Sequence, residues 1–327
     1  MTVFLVRRPI LLIVCCLIIF HSSALYATAA DTTTGKNSDT ASETAAEPNK
    51  EAAKPEKTAK PVKTPNLWLH PQSLLQNSDI LAYYGHPNSR GMGILGRHTK
   101  EDLLPRLNAL AEEYKAVSGG RDVVKAFYII YATCWPEGNV GIISSSKLKE
   151  YIDFAAENNM LVFLDHQIGK YDPIASLESM LPYLKYPNVH LALDPEWRTT
   201  KPMQELGSVT GDEINRAQKV MEEYMIKNEI PGERLLVIHQ FNAVMIKNRR
   251  AIKADFEKVR LVLCMDGHGT PAKKRGTYAF NAEAENIPVK AFKLFYNEKG
   301  NTGVDEPILS PKEVYELQPR PYLIMYQ

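Results

Sequence analysis

Eight apolar runs of strand length recur between Ile80 and Tyr326, and segments of different periodicity separate them. The runs are Ile80–Tyr84, Val124–Thr133, Leu161–Asp165, His190–Asp194, Leu235–His239, Leu261–Asp266, Val289–Tyr296 and Tyr322–Tyr326. Between them, Leu103, Leu107, Leu110 and Tyr114 share one helical face, as do Leu148, Ile152 and Ala155, and Ile214, Ala217, Met221 and Tyr224. Helix starts are marked chemically. Thr210 with Glu213 and Ser310-Pro311 with Glu313 fit capping boxes, and Asp172-Pro173 places an N-cap before a proline. Strands alternating with helices call for a parallel sheet covered on both faces. The expectation is an α/β fold, a (β/α)8 TIM-type barrel, with an open doubly wound sheet as the alternative. Asp79 to Gln327 spans 249 residues, close to the ~250 typical of this barrel. The weakest unit is Thr270 to Asn286, which carries Gly276 and has poor helical periodicity.

The chain ahead of the barrel is a different polymer. Arg7 and Arg8 precede the twelve mostly apolar residues Pro9 to Phe20, and Leu25 to Ala30 offers small residues for a peptidase. This is the layout of a secretory signal, expected to be cut after Ala29 or Ala30. The competing expectation is an uncleaved anchor, for which the apolar run is short against the ~20 residues of a span. Val14 stands before Cys15 where a lipid-attachment motif needs a small residue. Residues 31–65 are rich in Thr, Ala, Lys, Glu and Pro and lack the apolar surface to offset ordering entropy, so they read as a disordered linker. Lys50, Lys54, Lys57, Lys60 and Lys63 offer contacts to a cell wall or membrane surface, although the interleaved Glu and Pro suit a plain solvated tether. Residues 66–327 form the barrel domain. The expected location is secreted or extracytoplasmic, and membrane-tethered if the signal stays. A formal net charge of +1 gives no electrostatic footprint for nucleic acid. Cys134 and Cys264 remain after the signal, on strands two and six on roughly opposite sides of a closed barrel, and are expected to be unpaired buried thiols.

In a (β/α)8 barrel, side chains at the C-terminal strand ends and in the following loops build the active site. Here those ends are polar: Gly85-His86-Pro87, Thr133-Cys134-Trp135, Asp165-His166-Gln167, Asp194-Pro195-Glu196-Trp197, His239-Gln240 and Asp266-Gly267-His268, with Lys293 and Tyr296 on strand seven. Any barrel rim meets water and needs some polarity, but this one gathers His86, His166, His239 and His268. Strand four is the most informative. Val189, Leu191 and Leu193 alternate with Ala192 and Asp194, so the period of two turns the large apolar side chains to the helices and Asp194 inward. Glu196 follows inward if the extended chain continues, and Pro195 favours extension of the residue before it. Two carboxyl groups crowded at a barrel mouth separate in pKa, which suits acid-assisted cleavage of a glycosidic bond.

That strand-four D-x-E resembles the glycoside hydrolases of the chitinase and muramidase type. The resemblance covers the barrel plan and this short strand. It implies Glu196 as general acid and Asp194 as its assistant, positioning the N-acetyl group of a glycan. Val189 and Ala192 stand where the chitinases have further aspartates, and Leu81-Ala-Tyr-Tyr84 lacks the first-strand aspartate of the muramidases. The domain as a whole is also similar to secreted bacterial proteins. Asp165 and Asp266 complete the carboxylate set as base or stabiliser. Trp135 and Trp197 follow strand ends, where an indole either stacks on a sugar or packs a loop. His86, Tyr131, His166, Gln167, His239, Gln240, Lys293 and Tyr296 complete the expected substrate-binding set. No cofactor is expected, and the partner is a glycan or another small polar substrate.

Two rivals use the same face. His86, Asp165, His166, Glu196, His239 and Asp266 would suit a metal-dependent hydrolase or phosphodiesterase, although no H-x-H or H-E-x-x-H occurs. A non-catalytic glycan-binding barrel would keep the cleft without the chemistry. Gly91-Met-Gly-Ile-Leu-Gly96 satisfies a dinucleotide fingerprint, but six residues separate it from Tyr84 and the next helix is expected only near Thr99. It reads as a flexible loop over the barrel mouth. Ser144-Ser145-Ser146 reads as a loop with a helix cap. Mature protein is expected to begin at Ala30 or Asp31 when its N-terminus is sequenced, and a chain still beginning at Met1 would establish the anchor instead.

Overall fold

The computed structural model describes residues 71–298, 300, 301 and 303–327, and of 71–73 the backbone alone. The expected signal, linker and first five residues of the domain lie outside the described residues. Eight parallel strands form the barrel: β1 (Ser78–Gly85), β2 (Asp122–Cys134), β3 (Leu161–Gln167), β4 (Val189–Asp194), β5 (Arg234–His239), β6 (Val259–Met265), β7 (Val289–Leu294) and β8 (Leu323–Tyr326). Each pairs with its sequence neighbour, and β8 returns to β1 through Ile80 opposite Leu323. That pairing closes the ring and removes the open-sheet alternative. A short antiparallel strand, Val140–Ile142, extends the end of β2 as a hairpin.

The helices between the strands are α1 (Lys100–Ala116), α2 (Ser145–Glu157), α3 (Pro173–Met180), α4 (Gly211–Lys227), α5 (Pro271–Ala282) and α6 (Pro311–Tyr315), and a short helix, Pro71–Asn77, precedes β1. Their starts follow the sequence chemistry. The Thr210 and Ser310 capping boxes form in full, Asp172 caps α3 before Pro173, and Ser144 caps α2. The doubtful unit proves sound: α5 runs for 12 residues despite Gly276. The unit without an α-helix is instead the link from β5 to β6, which crosses in short 3-10 turns at Ala243–Met245 and Arg249–Ala251. Asn248 there takes a left-handed φ of 53°, a conformation Asn tolerates and a helix interior does not. Strand seven stops at Leu294, two residues short of the expected Tyr296, because the Phe295 N–H is taken by Asp305 Oδ2 at 3.0 Å.

The period of two along each strand divides the core in two. Leu81, Phe127, Val162, Leu191, Leu236 and Phe292 face the helices. Ile80, Ala82, Ala126, Phe163, Ala192 and Ala291 face into the barrel, and the small residues among them leave room for larger neighbours in the same interior. Cys134 and Cys264 are both free and buried. Among the described residues, no helix is long and apolar enough to cross a membrane.

The N-terminal end of the barrel is closed by ions. Asp79, fully buried, accepts from Arg121 Nε at 2.9 Å and from the Arg320 guanidinium. Arg121 also donates to the carbonyls of Leu75, Gln76 and Ser78, each at 2.6 Å, and Arg320 to that of Ser118 at 2.9 Å. This knot ties β1, β2 and β8 across the seam where the ring closes. Asp79→Ala strands two guanidinium groups beside a buried seam and is expected to cost about 3 kcal/mol. Urea unfolding measures it, and a loss below about 1 kcal/mol would mean that solvent replaces the carboxylate.

Candidate active site

Strand β4 turns Val189, Leu191 and Leu193 to the helices and Ala192 and Asp194 into the barrel, as its alternation requires. The chain then departs from the expected extension. Pro195–Trp197 is a 3-10 turn, held by Arg198 N–H on Pro195 O at 3.0 Å and Gly207 N–H on Glu196 O at 2.7 Å. Gly207 permits this approach: a Cβ there would stand 2.5 Å from Pro195 O and from Arg198 N. Despite the turn, Glu196 enters the same electrostatic field as Asp194, Asp266 and Lys293.

Three further strands bring the other charges. Asp165 on β3 accepts from Tyr84 Oη of β1 at 2.9 Å. His239 on β5 sits between Asp266 Oδ2, 3.0 Å from its Nδ1, and Tyr128 Oη, 2.8 Å from its Nε2. His239 Nε2 is also 3.9 Å from Asp165 Oδ1. Lys293 on β7 lays its Nζ 3.5 Å from the centre of the Tyr84 ring. Four carboxyl groups thus share one barrel end with one ammonium and one imidazole. Asp165, Asp194 and Asp266 are 0, 1 and 6 % exposed, and each keeps Oδ1 without a hydrogen-bond partner.

Crowding and burial set the protonation. Burial, and then the Glu196 carboxylate, hold the Asp194 carboxyl well above the usual carboxylate range. Burial raises Asp165 as well, against the pull of His239 and Lys293. Glu196 is pushed up to about 8 by burial and by Asp266, while Lys293 and a hydrogen bond from Trp197 oppose the rise. Glu196 therefore carries a proton at neutral pH, which is the state a general acid needs.

Several expected substrate contacts lie elsewhere. Tyr131 faces the helix layer and donates to Ser179 O at 3.0 Å. His166 is buried beside Tyr131, with Nδ1 3.1 Å from Gln167 O, and burial lowers its pKa to about 4. Gln240 is buried on the helix side, where Oε1 accepts from Arg249 at 3.0 Å. Tyr296 stacks in the helix layer 5.1 Å from Tyr326. These four are corrected from substrate contacts to packing residues; a side chain of the wrong parity on its strand, or on a strand that has already ended, cannot reach the mouth. Gln167 spends Oε1 on Cys134 N–H at 2.8 Å. His86 is half-buried on the loop after β1, its Nδ1 accepting from Asn88 N–H at 3.1 Å. Trp135 stands on the rim, 55 % exposed, and Trp197 is partly buried against Glu196.

The expected six-residue metal set does not assemble as one group, and His166 faces the helix side; among the described residues, Asp194, His239 and Asp266 converge. The glycine-rich loop is tucked rather than free: Gly85 and Gly93 form a β-bridge and Ile94 and Leu95 are buried. Two participants were missed, Tyr84 and Tyr128. The parity of β2 points to Tyr128, since it alternates with Ala126 and Ile130 on the inner face, whereas Tyr131 follows an irregularity in register. Beside the Glu196 turn lies a surface groove of about 360 Å³ lined by Lys170, Arg198, Thr200, Glu205 and Ser208 among others.

No family model matches the chain, and no curated protein is similar to it at a significant level. Among solved structures it is similar to a chitinase from Chromobacterium violaceum, at 10 % identity and a TM-score of 0.41, over 66 % of this chain and 68 % of that one. It is similar to a family 18 chitinase from Crocus vernus, at 10 % identity and a TM-score of 0.42, over 76 % and 92 %. An F420-dependent secondary alcohol dehydrogenase follows at 14 % identity and a TM-score of 0.33, over 67 % and 69 %. One barrel plan serves unrelated chemistries, so function rests on the site itself.

Lys293→Met removes the cation that pulls Glu196 down, so the Glu196 titration is expected to move above about 8. Carboxyl-carbon NMR reads it, and a downward movement would place Lys293 outside the field of Glu196.

Proposed function

We propose that this protein is a glycoside hydrolase that cleaves an extracytoplasmic glycan of the N-acetylated, cell-wall type. The observation that carries the reading is a carboxylic acid, Glu196, kept protonated to about 8 at the mouth of a (β/α)8 barrel and two residues from a second carboxyl, Asp194. A glycosidic oxygen leaves as an alcohol only if it is protonated as the bond breaks. Glu196 supplies that proton, and the Trp197 indole fixes its carboxyl group. Asp194 assists by accepting a hydrogen bond from the N-acetyl N–H of the substrate, so that the acetyl oxygen bonds to the sugar carbon as the leaving oxygen departs and water then opens that ring to complete hydrolysis. Asp165 and Asp266 support the positive charge that develops on the ring, held in place by Tyr84 and His239. The hydroxyl- and charge-lined groove beside the Glu196 turn offers partners for sugar hydroxyls, and Trp135 offers an exposed indole face on the rim. Secretion, with the N-terminal linker against the wall or membrane surface, would place the site where such a glycan lies.

Hydrolysis of chito-oligosaccharides and of peptidoglycan fragments tests the reading. Glu196→Gln is expected to lower kcat by about 10²- to 10⁴-fold while substrate still binds. Because the acid must be protonated, wild-type kcat is expected to hold through neutral pH and to fall as pH rises past about 8. A wild type that binds glycan without cleaving it, and loses binding in Trp197→Ala but not in Glu196→Gln, would make the barrel a binding module.

A further inference from the structure

We infer that the barrel mouth binds one divalent transition-metal ion through Asp194, His239 and Asp266. The inference goes beyond the hydrolase reading. Glu196, on which that reading turns, is not a donor.

The three donors come from the ends of neighbouring strands β4, β5 and β6. Register sets Asp194 level with His239 and Asp266 two residues beyond that level, with Leu193 opposite Ile238 and His239 opposite Cys264. One ligand atom from each lies within 4.8 Å of the other two. Donors on one tetrahedral ion, with bonds of about 2.1 Å, stand about 3.4 Å apart, so closing on an ion asks a pair at the 4.8 Å limit to approach by about 1.4 Å.

A second observation points to a cation independently of that spacing. Asp194 Oδ1 and Asp266 Oδ1 are buried and accept no hydrogen bond, and neither does Asp165 Oδ1, 3.9 Å from the His239 ring. A buried carboxylate oxygen without a partner is costly, and native proteins almost always supply one. Lys293 faces the carboxyl groups with its ammonium over the Tyr84 ring, and Lys274, which also acts on Asp266, is held by Asp305 at 3.0 Å. The His239–Asp266 hydrogen bond joins two of the donors by a shared proton, and an ion would take that proton's place.

The donor chemistry selects the class. Two carboxylates and one imidazole suit Zn²⁺ or Mn²⁺ better than the all-oxygen shells of Ca²⁺ or Mg²⁺. Three protein donors leave a position for water or a substrate oxygen. Tyr128, on the other ring nitrogen of His239, would orient the imidazole, as partners of metal-bound histidines do.

The test strips the full-length protein with EDTA and titrates it with Zn²⁺ and with Mn²⁺ alone, counting bound metal by elemental analysis and affinity by calorimetry. One ion per chain is expected, with binding weakened more than about 100-fold in Asp194→Asn and in Asp266→Asn. Circular dichroism checks that each variant is folded. Should both unfold, Co²⁺ added to the wild type is expected to give visible ligand-field bands that one equivalent of Zn²⁺ abolishes. A wild type that binds no ion, or an ion that stays equally tight in both folded variants, overturns the inference. Glycan cleavage by stripped protein that binds no ion overturns the metal site and leaves the hydrolase reading standing. A bound ion without any cleavage does the reverse.

Discussion

Four carboxyl groups at one end of an otherwise apolar barrel form the constraint around which this molecule is organised. Asp165, Asp194, Glu196 and Asp266 repel one another in surroundings that screen poorly, and Lys293 brings compensating charge that acts on Asp165, Asp194 and Glu196. Such a group can persist only if protons or cations make up the deficit and if the wall holds the groups in place. Both demands are visible. Burial drives Asp194 and Glu196 toward their neutral forms, while Tyr84 and Tyr128, rooted in β1 and β2, hold Asp165 and His239 from other strands of the ring.

The wall that does this is built by division of labour along each strand. One set of positions packs the helix layer and supplies most of the apolar burial. The other set fills the barrel with small and aromatic residues up to the level of the charges. Lys274 extends the support behind β7. Its buried Nζ meets Asp305 Oδ2 at 3.0 Å, Gly267 O at 2.7 Å and the carbonyl of Lys293, so the loops after β6 and β7 share one anchor. At the far end, the Asp79 knot holds the seam closed. The ion knot and the carboxyl cluster therefore occupy opposite faces, the arrangement this fold allows because its core is a packed interior rather than a pore.

Much of the fold was legible in the sequence for a local reason. Strand runs, helical faces and caps are patterns of a few residues, and each stands where its pattern placed it, including the Thr210 and Ser310 boxes and the inward turn of Asp194. The errors arose where local pattern gave way to surroundings. Tyr296 lay on an apolar run but beyond the strand, because Asp305 captures the next amide. Tyr131 and His166 looked like mouth residues by their closeness to strand ends, yet their parity sends them to the helices.

The sequence by itself determined that there are eight strands with helices between most of them, which side chains strand β4 turns inward, and that Asp165, Asp194, His239 and Asp266 lie near strand ends, because period and capping are properties of neighbouring residues. Tertiary structure alone decided that these ends meet. Residues up to 209 positions apart, Tyr84 and Lys293, share one cluster because β8 pairs with β1 and with β7 and closes the ring. It alone decided the protonation of Glu196 too, since a pKa depends on burial and on charges brought in from other strands.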